Sequence, residues 1–451
     1  MAGGTWTSQT KLRPGAYINF KAVQKGSMTT GDRGVVAIGL PLEWGPEGEL
    51  IEVLSTDLLN GASRKSVGFT AFDSASKLLR GALGYCYKAY VYRLKEVSSD
   101  VASAKASATI GKLTVTAKYT GELGNRISVI ITADSATSVY TVMTYLDGEQ
   151  VDRQRFSQVT DLKSNDYVDF SDARSGDITA TAGTMLTGGT NGSVASMASQ
   201  YASMLSKLEM AKWQCFACTS DDSTTVSNVV SFIENLRENE GRYVQAVVAD
   251  ASGANTEGII NNVCGAVIDG VEFGKTEFCA IVAGMTAGAN FNESNTAKVI
   301  QGATSIVGQL TDSEIKAGLE AGKFMLSASS SGAIKVEQDI NSLHDYPADR
   351  NYSFSKNRVI RVLDEIGTSV KETWEDVYMG KVNNNDSGRA LFRSDIIQYM
   401  RELERLTAIQ EFDADDVVVS QGTDLDAVLV TIAVKPVDSM EKLYMTVNVG
   451  S

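Results

Sequence analysis

The chain has 451 residues, 43% hydrophobic and 21% charged, with 41 Lys+Arg against 55 Asp+Glu for a net charge of -14. That length implies about three domains of ~150 residues, and the composition is that of a globular chain rather than a disordered one. The acidic balance disfavours nucleic acid as a partner, because a polyanion would dock against the protein's own field and no Lys/Arg run offers a local basic face.

The opening Met1-Ala2-Gly3-Gly4-Thr5-Trp6 lacks a basic region followed by an apolar stretch, so no secretory signal is expected. The apolar run Ala427 to Val434, interrupted by Thr431, falls far short of the ~20 residues of a membrane span. Direct membrane insertion is not expected. An odd number of cysteines, 5, excludes complete internal pairing and fits free thiols in a reducing compartment, so synthesis in a cytoplasm is expected.

In chain order, residues 1–30 read as an extended arm. Tyr17, Ile18 and Phe20 give it strand character without a local partner, after a Pro14-Gly15 pair that disfavours helix. Residues 31–97 form the first part of a core, with strands at Gly34–Leu40 and Ala89–Tyr92 and a helix at Phe72–Leu83. Ser98 to Thr109 is a polar, small-residue boundary. Over 98–190 the period becomes two: Leu113, Val115, Ala117 and Tyr119 alternate with polar neighbours, as do Ile127, Val129 and Ile131, and Asp147-Gly148 is a hairpin signal. These features predict a small β-sandwich, closed by the loop Leu186–Gly192.

Across 191–345 helices and strands alternate. Val226, Val229, Ile233 and Leu236 mark one helix face. Strands are expected at Tyr243–Val248, Phe278–Val282 and Phe324–Leu326. Such alternation predicts a mainly parallel sheet with helices on both faces. Residues 346–451 are α+β. Val359, Leu363, Ile366, Val370, Trp374 and Val377 define a long amphipathic helix, and a second runs from about Ser387 to Ile409. Two strands follow, Val428–Val434 and Leu443–Val449, the last one alternating Leu443, Met445, Val447 and Val449 with polar residues. The fold class is α/β plus β, in several domains.

Several short patterns have the residue types of catalytic or ligand-binding sites. His344 is the sole histidine, and no G-x-S-x-G elbow accompanies it, so it reads as a turn or interface residue. Cys215-Phe216-Ala217-Cys218 has redox and zinc spacing but lies in a strand-like run, where positions three apart face opposite sides; these are expected to be buried core cysteines. Gly274-Lys275-Thr276 resembles the end of a phosphate loop, but Asp269 stands where the earlier glycine belongs, and a strand rather than a helix is expected to follow. Asp221 and Asp222 read as helix caps. Asp413, Asp415 and Asp416 read as a solvated or docking surface. Gly121, Gly124 and Asn125 read as a turn needing positive φ. No catalytic residue, metal site or cofactor is expected.

Several segments resemble the tail sheath family of contractile phages, prophages and phage-tail-like bacteriocins, particularly the Gram-positive type. These are Thr5–Gln9 through Arg13–Phe20, Gly34–Ile38 leading to Glu43-Trp44-Gly45-Pro46, Tyr119–Asn125, Leu186–Gly192, Ile340–Leu343 and Phe354–Arg358. Their order covers nearly the whole chain. The resemblance implies a subtilisin-like α/β domain without a catalytic triad, a β-sandwich domain, an α+β C-terminal domain and extended terminal arms. It also implies a structural subunit that stacks as rings, hexameric in the family, around an inner tail tube, meets baseplate and tail terminator proteins, and contracts to drive the tube through a bacterial envelope. The expected location is a virion tail or phage-tail-like particle. Terminal strands would join neighbours' sheets, through Tyr17, Ile18 and Phe20 at one end and Leu443, Met445, Val447 and Val449 at the other. The second C-terminal helix would face the tube, with Arg389 and Arg393 one turn apart on it. The rival readings are a non-contractile tube or shell protein, an α/β hydrolase and a surface adhesin.

Overall fold

Val35–Pro41 is a seven-residue strand with six residues buried. Val36, Ile38 and Leu40 enter one core, Val35 and Ala37 another, as expected of a strand covered on both faces. It lies third from one edge of a seven-stranded sheet ordered Lys323–Phe324, Ile259–Asn262, Gln245–Ala249, Cys215–Ala217, Val35–Pro41, Lys88–Leu94, Leu50–Leu54. All neighbours are parallel except the final pair, which is antiparallel. Strands from 31–97 and from 191–345 thus share one sheet. In the computed structural model, the residues described are 2–4, 15–17, 28, 33–134, 138–251 and 253–449.

Helices Met197–Leu208 and Ser223–Glu238 cover one face, placing Tyr201, Met204, Val229 and Ile233 in its core. Asp222 caps the second of these by accepting from the Thr225 N–H at 2.8 Å. The other face is covered by Lys77–Leu83 and Lys275–Gly288. The latter overturns the strand expected at Phe278–Val282. Ten consecutive residues of this helix, Phe278 to Ala287, are buried; a helix apolar all round shows no 3.6-residue stripe, and a short window of it is indistinguishable from a buried strand. The helix approaches Lys77–Leu83 closely enough that a Cβ on Gly284 would stand 2.2 Å from the Ala82 carbonyl oxygen.

The stretch between these halves is a β-sandwich. A four-stranded sheet (Glu149–Phe156, Val139–Leu146, Ile127–Asp134, Thr181–Met185) and a three-stranded one (Val168–Asp172, Leu113–Ala117, Ser107–Ile110) are joined by a common core. The Asp147-Gly148 hairpin forms as the sequence predicts, both residues having positive φ (52° and 84°) and Leu146 facing Glu149. Trp44 is fully buried in this core, although it comes from the loop after the Val35–Pro41 strand. Its Nε1 donates to the Lys65 carbonyl at 3.0 Å. Of the Gly121–Asn125 cluster, only Gly121 has positive φ, 125°; Asn125 instead clamps Gly189, accepting from its N–H and donating to its carbonyl, each at 2.8 Å. At the base of the sandwich, Glu96–Val97 pairs in parallel with Ser193–Val194.

By contacts the chain divides into one unit of Gly31–Thr368 with Pro436–Ser451 and another of Met1–Thr30 with Ser369–Lys435. The helix Asn357–Thr373 therefore runs from the first unit into the second. In the second unit a π-turn, Trp374–Tyr378, and the helix Asp386–Arg405 bring Trp374, Tyr378 and Phe392 into one ring cluster, with Tyr378 and Phe392 centroids 4.6 Å apart. The strands Val417–Gln421 and Val428–Ile432 form a two-stranded antiparallel hairpin; the first of them was not expected from the sequence. In the arm, Gly15–Tyr17 pairs in parallel with Ala2–Gly4, a local partner the sequence reading did not anticipate.

Candidate functional site

The features considered for chemistry have structural roles. Cys215 points into one core and Cys218 into the other, as strand geometry requires, and burial pushes the Cys218 thiol up to about 11. The helix following Gly274 does present an N-terminus, contrary to expectation, but the chain fills it itself: Glu277 Oε2 accepts from the Gly274 N–H at 3.0 Å, and Lys77 Nζ lies 2.7 Å from both Glu277 oxygens. Lys275 pairs with Asp250. His344 Nδ1 lies 2.7 Å from the Ser342 carbonyl in an irregular segment. Asp413 and Asp416 cap their own short 3-10 turn. Among the described residues no group of three or more His, Cys, Asp or Glu is arranged to hold a metal ion, and no helix is long and apolar enough to cross a membrane.

The chain ends carry the more informative geometry. Leu443, Met445, Val447 and Val449 are 86%, 74%, 70% and 90% exposed, and this stretch belongs to no strand ladder in the described residues. A run with strand alternation thus stands in solvent with its apolar side uncovered. Tyr17 lies in the short Gly15–Tyr17 strand; Ile18 and Phe20 lie outside the described residues. The hairpin Val417–Gln421/Val428–Ile432 is a sheet of only two strands, and Val418 and Leu429 on it are 54% and 60% exposed.

Before the exposed run, the tail is fastened. Glu441 accepts hydrogen bonds from Thr296 Oγ1 (2.8 Å), Gln338 Nε2 (2.6 Å) and Ser439 Oγ (3.2 Å), and pairs with Lys356 Nζ. Burial alone would raise the Glu441 carboxyl, but these donors hold it below its ordinary value. Lys356 is buried and also reaches Asp438 at 3.8 Å. Just beyond it, Asp339 accepts from Arg361 NH2 (2.6 Å), Asn357 Nδ2 and the Asn295 N–H (2.9 Å each). A cavity of about 560 Å³ opens beside this network, between Leu343, Tyr346, Tyr352 and Glu441. Sequence reasoning missed Thr296, Gln338 and Glu441, which sit far apart in the chain. Lys356 did fall inside the Phe354–Arg358 segment.

Arg389 and Arg393 are not free on the outer face of their helix. Arg389 donates to Asn384 Oδ1 (2.9 Å) and pairs with Asp386; Arg393 Nε donates to the Val417 carbonyl at 2.7 Å and its NH2 to the Ala414 carbonyl. Both brace the second unit internally. The exposed stripe of the helix is instead Leu391, Ser394, Gln398, Arg401 and Arg405.

Comparison with known proteins places this geometry. A phage tail sheath protein β-sandwich domain model matches residues 100–191, a phage tail sheath protein central domain model 195–342 and a phage tail sheath C-terminal domain model 349–450. The crystal structure of a sheath tail protein from Desulfitobacterium hafniense is 35% identical with a TM-score of 0.82, covering 96% of this chain and 99% of that one. The phage-like element PBSX protein XkdK of Bacillus subtilis is 31% identical and covered over the full length of both chains. The anti-feeding prophage helical sheath in its contracted state shares the fold at 11% identity and a TM-score of 0.58, over 98% of this chain and 99% of that one. The chain belongs to the phage tail sheath protein family.

Proposed function

We propose that this chain is the structural subunit of a contractile tail sheath, polymerising with copies of itself around an inner tube and working without catalysis. The single observation that carries this reading, beyond family membership, is the uncovered strand-like run Leu443–Val449. In an isolated chain it exposes five large apolar side chains, Tyr444 among them. A neighbouring copy would cover it by strand addition, and the two-stranded hairpin, which carries no third strand among the described residues, is the natural acceptor. The N-terminal run Tyr17, Ile18 and Phe20 would join the same kind of mesh. Backbone hydrogen bonds of about 1 kcal/mol each give such a link direction, and flexible tethers let subunits rotate while remaining connected.

The likeness to a contracted sheath supports a particle that shortens. The sheath would form hexameric rings, end at baseplate and terminator proteins, and act in a virion tail or phage-tail-like particle built in the bacterial cytoplasm. The open parallel sheet with helices on both faces supports a subtilisin-like layout for the α/β domain, used as a scaffold alone. For tube contact the outer stripe of Asp386–Arg405 is the better candidate, since Arg389 and Arg393 are engaged internally.

Negative-stain microscopy tests the reading. The full chain should form tubes of stacked rings, and deletion of Leu443–Ser451 should leave a folded monomer that forms none. Normal sheaths from the truncated chain refute strand donation by this tail.

A further inference from the structure

We propose that Lys356 and Glu441 act as a clamp that fixes the root of the C-terminal tail on its own subunit and so sets how far the donated strand reaches. This rests on the strand-donation reading and adds to it the residues that control it. The clamp has the features of a built site. Glu441 draws on three donors besides Ser439, its neighbour in the tail: Thr296, Gln338 and Lys356, from three separate places in the chain. The Lys356 side chain is 5% exposed and that of Glu441 11%, whereas Leu443, two residues on, is 86% exposed. The change from buried to exposed side chains therefore occurs across one residue, Lys442. Lys356 also faces Asp438, so one ammonium serves two acids of the tail. A buried lysine is costly unless paired. Here its carboxylate partners among the described residues come from the tail, so the tail's departure would strand that charge beside the Tyr352 ring, 5.6 Å away.

The consequence is geometric. An extended chain spans at most ~3.3–3.6 Å per residue, so residues 443–449 reach about 25 Å beyond the clamp. Lys435 is the last residue of the hairpin-bearing unit. With the clamp open, residues 436–449 reach about 50 Å from it. Doubling the tether dilutes the tail at its acceptor about threefold if it is flexible, and up to about eightfold if the whole volume within full extension is searched.

The test alters the clamp without altering the tail. In monomeric full-length protein, Lys356→Met should accelerate tryptic cleavage after Lys442 at least tenfold, because the protease needs a mobile stretch on both sides of the bond. The tail sequence, and with it the intrinsic cleavage preference, is unchanged. Cleavage within twofold of the parent overturns the clamp. If Lys356→Met does not fold, the double variant Thr296→Val/Gln338→Leu removes two donors and is read in the same way. The second arm is the critical concentration for sheath formation, expected to rise three- to eightfold in the variant with the melting temperature unchanged. A critical concentration within 1.5-fold of the parent, together with fast cleavage, overturns the control of reach. Failure of strand donation itself appears separately, as normal sheaths from the Leu443–Ser451 deletion.

Discussion

Gly284 sits where the buried helix Lys275–Gly288 crosses Lys77–Leu83, and replacing it with alanine opposes two effects of known size. Alanine favours a helix interior over glycine by about 1 kcal/mol. Against that, the new methyl would lie 2.2 Å from the Ala82 carbonyl oxygen and 2.8 Å from both its carbonyl carbon and its Cα. These are backbone atoms of a neighbouring helix, so relief requires the two helices to separate. Overpacking of this kind costs about 1–3 kcal/mol, and the closest contact here argues for the upper end. Gly284→Ala should therefore be destabilised by about 1–2 kcal/mol net. Gly318 provides the control. It is also helical, but a methyl there crowds the flexible end of Met325, Sδ at 2.6 Å and Cε at 2.8 Å, and touches Lys323 Cβ at an ordinary 3.8 Å. That side chain can swing aside, so Gly318→Ala should fall within about 0.5 kcal/mol of the parent or slightly above it. Urea denaturation followed by tryptophan fluorescence measures both. A Gly284→Ala chain as stable as the parent refutes the close helix crossing.

Three further outcomes are expected. Burial works to raise the Glu47 carboxyl, but Lys95, Ser103 and Thr120 together hold it at about 2. A folded-state value below the unfolded one gives stability that is present above about pH 4.5 and lost as pH falls towards 2, worth about 1–2 kcal/mol once solvent screening is allowed for. Glu47→Gln should therefore flatten acid unfolding over that window, as read by circular dichroism. All five cysteines are free and buried, with Cys86 pushed up to about 12 by burial. A thiol reagent should accordingly find no reactive group in native protein and five in urea, and fast labelling of any one would show its placement to be wrong. Arg393→Ala removes the donors to Val417 and Ala414 and should loosen the hairpin by about 1–2 kcal/mol, visible as faster amide exchange over Val417–Gln421. Unchanged exchange would mean that these bonds do not brace it.

What could be read from the sequence depended on whether a residue's role leaves a local pattern. The alternation from Leu113, the Asp147-Gly148 turn and the Val226–Leu236 stripe each encode their structure within a dozen residues, and each forms, although the first strand ends at Ala117, before Tyr119. Phe278–Val282 failed because a helix buried all round has no polar face to mark its period. Arg389 and Arg393 do share a face, but spacing cannot tell that the Val417 carbonyl and Asn384 wait on it. Glu441 had no local signal, since its partners outside the tail lie 85 to 145 residues away. The exposed tail was legible for the opposite reason: alternating apolar residues at a chain end are conspicuous because nothing nearby needs them.

The parallel pairing of Glu96–Val97 with Ser193–Val194 has a consequence for how such chains diversify. The sandwich leaves and rejoins the chain at neighbouring points, so lineages can trade, enlarge or discard it as a cassette without re-threading the seven-stranded sheet. The trade carries one condition. Trp44 belongs to the scaffold yet fills the cassette's core, so a replacement must bring its own cover for that indole or come with a smaller residue at position 44. Divergence of the sandwich and of this single scaffold position should therefore travel together.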